Sequence, residues 1–282
     1  MKSLKEDIKI HFDSLRYPRL LISSGVENAA SAFDIYSYKK FSEAAYKPID
    51  NWRKPTKQEQ KLLVSETDQM FQAHNIAIKR LDDDLIKLFS QFDFSNCKDK
   101  FEVADVFKGN LAVSQEINTK LNTLIKRHSP NKEFSFFRFV INRPAIQTLS
   151  YKPDGKEYIG LHIDTSSGLD LPDLDYSRNR ISINIGKEAR SVIFINLRLS
   201  EVVSLLNEKA GIAVSQINLD NIAQFFFTHF PEYPVVKFLQ YPYEYYIAPT
   251  DNFFHDGSSI GMKTQDVTLI YLGYFNLTLD SI

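Results

Sequence analysis

The chain has 282 residues, 43% of them hydrophobic and 24% charged, with 34 basic and 35 acidic side chains and a net charge of -1. That is an ordinary globular balance, enough for one large domain or two small ones, with no global field to favour nucleic acid or an anionic membrane as partner. The single cysteine, Cys97, excludes an intrachain disulfide and a cysteine-based zinc site, and it fits a reducing cytoplasm, the expected location.

In chain order, "MKSLKEDIKIHF" is charged throughout and has no apolar core of a secretory signal. No apolar run approaches the roughly 20 residues that span a bilayer. Apolar spacing predicts helix in "KEDIKIHFDSL", over 56 to 92 (as two helices) and over 113 to 129. Residues 1–132 are therefore expected to be a mainly helical region packed on a core built by the rest of the chain. From 133 the pattern changes to short β-type runs: "FSFFRFVIN", "AIQTLSY", "EYIGLHID", "RISINIG", "SVIFINL", "VVKFLQY", "EYYIAP" and "VTLIYLGYF". Turn-type residues separate most of them, which predicts a sandwich or barrel such as a jelly roll. A helical segment, 200–230, interrupts the strands. The expected class is α+β, with residues 133–282 as the β core and 200–230 as a helical insert. That insert would sit outside the core strands as a lid bordering the site.

The six histidines are the first candidates for ligands. His11 and Asp13 form a His-x-Asp pair in a helical pattern, where residues two apart diverge around the axis and cannot share a metal, so the pair reads as helix surface. His74, His128 and His229 have no ligand-type partner at helical spacing and read as structural. His162 and Asp164 differ, because they end an apolar β-type run. Alternation along a strand points both to one face, with Ile163 on the other. A bare His-x-Asp is expected by chance in about one such chain in two, so the pair alone is weak. A later lone His255, in "EYYIAPTDNFFHDGSS", is expected to end another strand. Two histidines and one carboxylate with open positions form the facial triad of non-haem Fe(II) sites.

The order of these motifs carries a family resemblance over about half the chain, residues 145 to 275. "YKPDGKEYIGLHID" resembles the lead-in of prolyl hydroxylases, and "RNRISINIG" with "RSVIFINL" resembles their third and fourth core strands. "FFHDGSSIGMKTQDVTLIYLGYF" resembles their distal-histidine and closing strands. The resemblance is to Fe(II)/2-oxoglutarate-dependent oxygenases and implies a double-stranded β-helix. It implies His162, Asp164 and His255 as iron ligands, 2-oxoglutarate as cosubstrate and dioxygen as oxidant. Hydroxylation of a C–H bond is the implied reaction, with desaturation or ring formation as variants. Asp164 argues against a halogenase, since halogenases of the family lack that carboxylate.

One departure stands out. The family usually grips the far carboxylate of 2-oxoglutarate with Arg or Lys about ten residues after the distal histidine. Here that position is Gln265, two residues beyond Lys263. Arg190, at the start of the fourth core strand, is the preferred anchor because a planar guanidinium matches a carboxylate. Lys263 is the alternative. Arg178 or Arg180 is placed to bind a carboxylate of cosubstrate or substrate, and Tyr151 to hydrogen-bond 2-oxoglutarate. The expected substrate is a small molecule, a free amino acid or a natural-product intermediate, with a peptide side chain second. The acids of "DTSSGLDLPDLDYSRN" are candidates to meet a substrate amine. The rival classes are a keto-acid-independent cupin-like enzyme, which would usually carry more histidine ligands, and a non-catalytic binding protein.

Overall fold

The computed structural model describes residues 2–12, 19–34, 39–65, 74–129, 131 and 133–276. The first part of the chain contributes β1 (Ile10–Phe12), β2 (Leu20–Ser23), β3 (Val26–Asn28), β4 (Phe33–Asp34), β5 (Lys39–Pro48), α1 (Lys57–Leu63), β6 (Ile76–Arg80), α2 (Asp83–Phe89), α3 (Lys100–Lys108) and α4 (Leu111–His128). The remainder contributes β7 (Phe134–Asn142), β8 (Glu157–Gly160), β9 (Asn179–Asn184), β10 (Arg190–Phe194), α5 (Leu199–Ala210), α6 (Ile222–His229), β11 (Val235–Gln240), β12 (Glu244–Ala248), β13 (His255–Ser258) and β14 (Asp266–Gly273).

Two sheets build the core. One has six strands in the order β1-β6-β12-β9-β14-β7, and the other four in the order β13-β10-β11-β2. Successive strands from β9 onward fall in the first, second, second, first, second and first of these sheets. The chain therefore wraps around one shared interior instead of completing either sheet in turn. A third sheet, β3-β5-β4, takes β8 in parallel against β5.

Phe194 shows what fills the interior. It is fully buried on β10, in register opposite His255, with its ring 6.1 Å from Phe238 and 5.9 Å from Phe253. Truncating such a side chain to Ala costs about 3–5 kcal/mol.

The expected helix over "KEDIKIHFDSL" is not formed at Ile10–Phe12, which is β1 and pairs in parallel with β6. His11 is thus buried in a strand, not on a helix surface, and Asp13 lies outside the described residues. Within 56 to 92 the chain forms α1, β6 and α2, with 66–73 outside the described residues. Pairing with β1 and β12 overrides the helical spacing of "IAIKR". The α1 start is legible: Thr56 accepts from the Glu59 amide at 3.2 Å, and Glu59 accepts from the Thr56 amide at 2.8 Å, a capping box. "AIQTLSY" is a loop, because Ala145 takes a φ of 63° and the Leu149 amide donates to the Gly257 carbonyl at 3.2 Å. β1, β2 and β6 extend both core sheets, so the first 132 residues share their sheets with the rest of the chain.

Candidate metal centre

Three elements bring the ligand-type side chains together. Gly160 ends β8 with a φ of +66°, and a Cβ there would lie 2.2 Å from the Tyr46 carbonyl oxygen. Only glycine fits this turn. It carries the chain off the third sheet, and His162 then bridges His255 on β13. The His162 amide donates to the His255 carbonyl at 3.1 Å, and the His255 amide donates back at 2.9 Å. Asp164 comes next, held by its amide to the Thr250 carbonyl at 3.2 Å.

The side chains converge. His255 Nε2 lies 3.3 Å from Asp164 Oδ2, His162 Nε2 lies 3.8 Å from Asp164 Oδ1, and the two imidazole centroids are 4.7 Å apart. One ligand atom from each of the three lies within 4.8 Å of the others. Each ring is oriented from behind. His162 Nδ1 is 2.9 Å from the Gly160 carbonyl and His255 Nδ1 is 3.3 Å from the Phe253 carbonyl, which leaves both Nε2 atoms for the centre.

Electrostatics match a cation site. Burial by itself would raise the Asp164 carboxyl, but Arg180 and His255 beside it hold it well below the usual carboxylate range. Burial lowers the His255 imidazole, toward the neutral form that binds a metal. Burial opposes charge on His162 too, yet Asp164 and Asp256 beside it outweigh that and raise its pKa. Asp164 Oδ2 is buried and has no aligned hydrogen-bond donor, although Arg180 Nη2 stands 2.5 Å away. The contact with Arg180 is therefore ionic, and the other carboxylate oxygen, Oδ1, faces His162 Nε2. Two neutral-capable imidazoles and one carboxylate suit Fe(II) with open positions.

The triad lies in the wall of a cavity of about 770 Å³. Arg190, Arg180 and Tyr151 line it; Lys263 does not. The Arg190 guanidinium is buried, with Nε 2.9 Å from Asp266 Oδ1 and Nη1 3.4 Å from Gln240 Oε1. Nε and Oδ1 are not aligned as a hydrogen bond, so charge holds this pair. Burial disfavours the Arg190 charge, but Asp266 outweighs that and raises its pKa. Lys263 sits in an exposed turn, tied through its amide to Glu188 at 2.7 Å. Arg180 contacts Asp164, and Arg178 donates to the Ser166 carbonyl. Tyr151 is half exposed.

Two expectations fail here. No residue of 200–230 lines the cavity. The apolar faces of α5 and α6 pack into the main core through Val202, Leu205, Leu206, Phe226 and Phe227, so the segment is structural and not a lid. Asp170, Asp173 and Asp175 do not line the cavity either, so the acids offered for a substrate amine lie elsewhere. Sequence reading missed Asp256, Asp266 and Arg138. Asp256 is buried against the cavity and pushed up to about 6, chiefly by burial, while accepting the Leu149, Ser150 and Gly257 amides. Its signal was its place beside His255.

No protein-family model and no curated protein matches the chain. Among solved structures, the chain is similar to the apo Kdo hydroxylase KdoO, a non-heme Fe(II) alphaketoglutarate-dependent dioxygenase. The TM-score is 0.41 at 12% identity, over 73% of this chain and 80% of that one. The same enzyme with succinate and Fe(III) gives 0.39 at 13% identity, over 73% and 80%. Its cobalt(II) complex gives 0.40 at 12%, over 72% and 80%.

Proposed function

We propose that the chain is an Fe(II)/2-oxoglutarate-dependent oxygenase that hydroxylates a C–H bond of a small molecule. The observation that carries this is the convergence of His162, Asp164 and His255 on one point in a cavity wall. The topology supports it. Strands β7 and β9 to β14 are shared between two sheets, with the chain crossing between them four times from β9 to β14, and the His162 bridge beside β13 extends the second sheet, as in a double-stranded β-helix.

His162, Asp164 and His255 would hold the iron. The bound metal supplies activation of dioxygen, coupled to oxidative decarboxylation of 2-oxoglutarate to succinate. The rest is positioning by the protein. Arg180 balances the Asp164 charge and keeps that carboxylate ionised. Arg190 faces the far carboxylate of the cosubstrate, since a buried unpaired carboxylate is costly. Its Nη2 lies over Gly257, two residues past His255, where a Cβ would come within 2.8 Å. Tyr151, at the cavity edge, is placed to donate a hydrogen bond to the cosubstrate. Val192 and Ile270 give the cavity apolar wall, which keeps water from the reacting C–H bond.

The test is succinate formation from 2-oxoglutarate with Fe(II) in air, with and without a panel of small molecules. Iron-dependent succinate, stimulated by a true substrate, is expected. Oxygen uptake independent of 2-oxoglutarate would move the chain to the keto-acid-independent class.

A further inference from the structure

The cavity mouth has its own chemistry. Arg138 stands there on β7, and Lys98 and Lys100 flank the start of α3. Each side of the mouth pairs a cation with an exposed aromatic ring. The Arg138 guanidinium lies 4.8 Å from the Phe137 centroid, and Lys100 Nζ lies 5.2 Å from that of Phe101. Phe101 is 68% exposed and Phe137 is 43% exposed, although both border a cavity. α3 is fixed against β7 by Phe107, whose ring stacks on Phe139 at 5.6 Å. The lysine-bearing segment is therefore held opposite Arg138.

No described carboxylate forms an ion pair with Lys98, Lys100 or Arg138. The acids beside Lys98 are engaged at the start of α3: Asp99 Oδ1 accepts the Phe101 and Glu102 amides at 2.8 and 3.0 Å, and Glu102 Oε2 accepts the Lys98 amide at 2.7 Å. The cavity's other acids, Asp164 and Asp256, are deep, at the metal centre. Arg190 is paired with Asp266 at 2.9 Å, whereas Lys98, Lys100 and Arg138 form no salt bridge with a described carboxylate, and Asp164 acts on Arg138 through space. A cationic, aromatic-edged mouth selects for negative charge and repels an ammonium group.

We propose that the substrate is an anion, carrying a carboxylate or phosphate that Arg138, Lys98 and Lys100 hold at the mouth while its reacting C–H bond reaches the metal centre. This rests on the oxygenase reading for the reaction, but the anion site can be tested without turnover. Phenyl phosphate, benzoate and uncharged benzamide would be titrated by calorimetry into the full chain loaded with Co(II) and 2-oxoglutarate, and into the metal-free chain. At least one anion should bind and benzamide should not, and the better anion tells carboxylate from phosphate. The Lys98→Gln/Lys100→Gln/Arg138→Gln variant should weaken anion binding about tenfold or more. Raised salt should weaken it in the wild type. Co(II) and 2-oxoglutarate affinities should not change in the variant. Equal binding of benzamide, or unchanged anion binding in the variant, overturns the proposal. Loss of 2-oxoglutarate affinity in the variant also overturns it, by giving these cations to the cosubstrate. A wild-type chain that binds the anions but neither Co(II) nor 2-oxoglutarate would instead sink the oxygenase reading alone.

Discussion

The metal corner and the Arg190 wall of the cavity use buried charge differently. At the corner, the Asp164 carboxylate pairs with Arg180, and two imidazoles also turn their Nε2 atoms toward it. At the other wall, the Arg190 cation meets its counter-charge in Asp266, itself wholly buried at the head of β14. One region gathers three metal-ligand side chains whose ligating atoms face one another, where a cation can arrive. The other sets one cation against one carboxylate, so that a charged group can sit in the interior without unfolding it. Neither ion pair is aligned as a hydrogen bond, so convergence of ligand atoms, not unmatched polarity, is the better pointer to chemistry.

The largest expected effect comes from removing a ligand. Asp164→Ala should cut metal affinity by more than the roughly 10–100-fold that loss of an outer partner costs. Equilibrium dialysis with Fe(II) or Co(II) measures this, and wild-type affinity in the variant would end the contrast between the two regions.

Arg190→Ala comes next. It leaves Asp266 buried without its counter-charge, so it should destabilise the fold by about 3–5 kcal/mol and raise the 2-oxoglutarate requirement. Denaturant unfolding reads the first effect and cosubstrate titration the second. The paired change Arg190→Met with Asp266→Leu should regain most of the stability, since apolar replacement of a buried ion pair is often close to neutral. It should not regain 2-oxoglutarate affinity. Recovery of both would reduce Arg190 to a structural residue.

A smaller effect is expected from Gly257→Ala, whose Cβ would meet Arg190 Nη2 and Leu149 Cδ1 at 2.8 Å each. It should weaken 2-oxoglutarate binding several-fold by displacing the guanidinium, with metal affinity kept. An equal loss of both would mean that β13 itself has shifted. Smallest of all is Lys263→Ala. Its tie to Glu188 is through the backbone, so stability should change by less than about 0.5 kcal/mol and cosubstrate affinity not at all.

What was legible in the sequence was local. β7 coincides with the aromatic run "FSFFRFVIN", and the Gly160 turn with His162 and Asp164 is one continuous stretch. His255 was legible as a histidine beside a β run, although it opens β13 and does not close the preceding strand. What was not legible depended on distant partners. "IAIKR" is a strand only because β1 and β12 flank it, and "KEDIKIHFDSL" yields β1 for the same reason. Asp266 could not be read as the partner of Arg190 across 76 residues of chain, nor Arg138 as a neighbour of Lys98 before α3 was placed on β7. The lid expectation failed because the amphipathic period of 200–230 says that one face is buried, not against what.

The most direct test of the central claim is a cobalt titration of the full chain monitored by visible absorption, for wild type and for His255→Ala. One Co(II) per chain is expected for the wild type, with a spectrum that changes when 2-oxoglutarate is added, and no such site in the variant. Absence of a saturable wild-type site, or the same saturable spectrum in His255→Ala, would contradict the account.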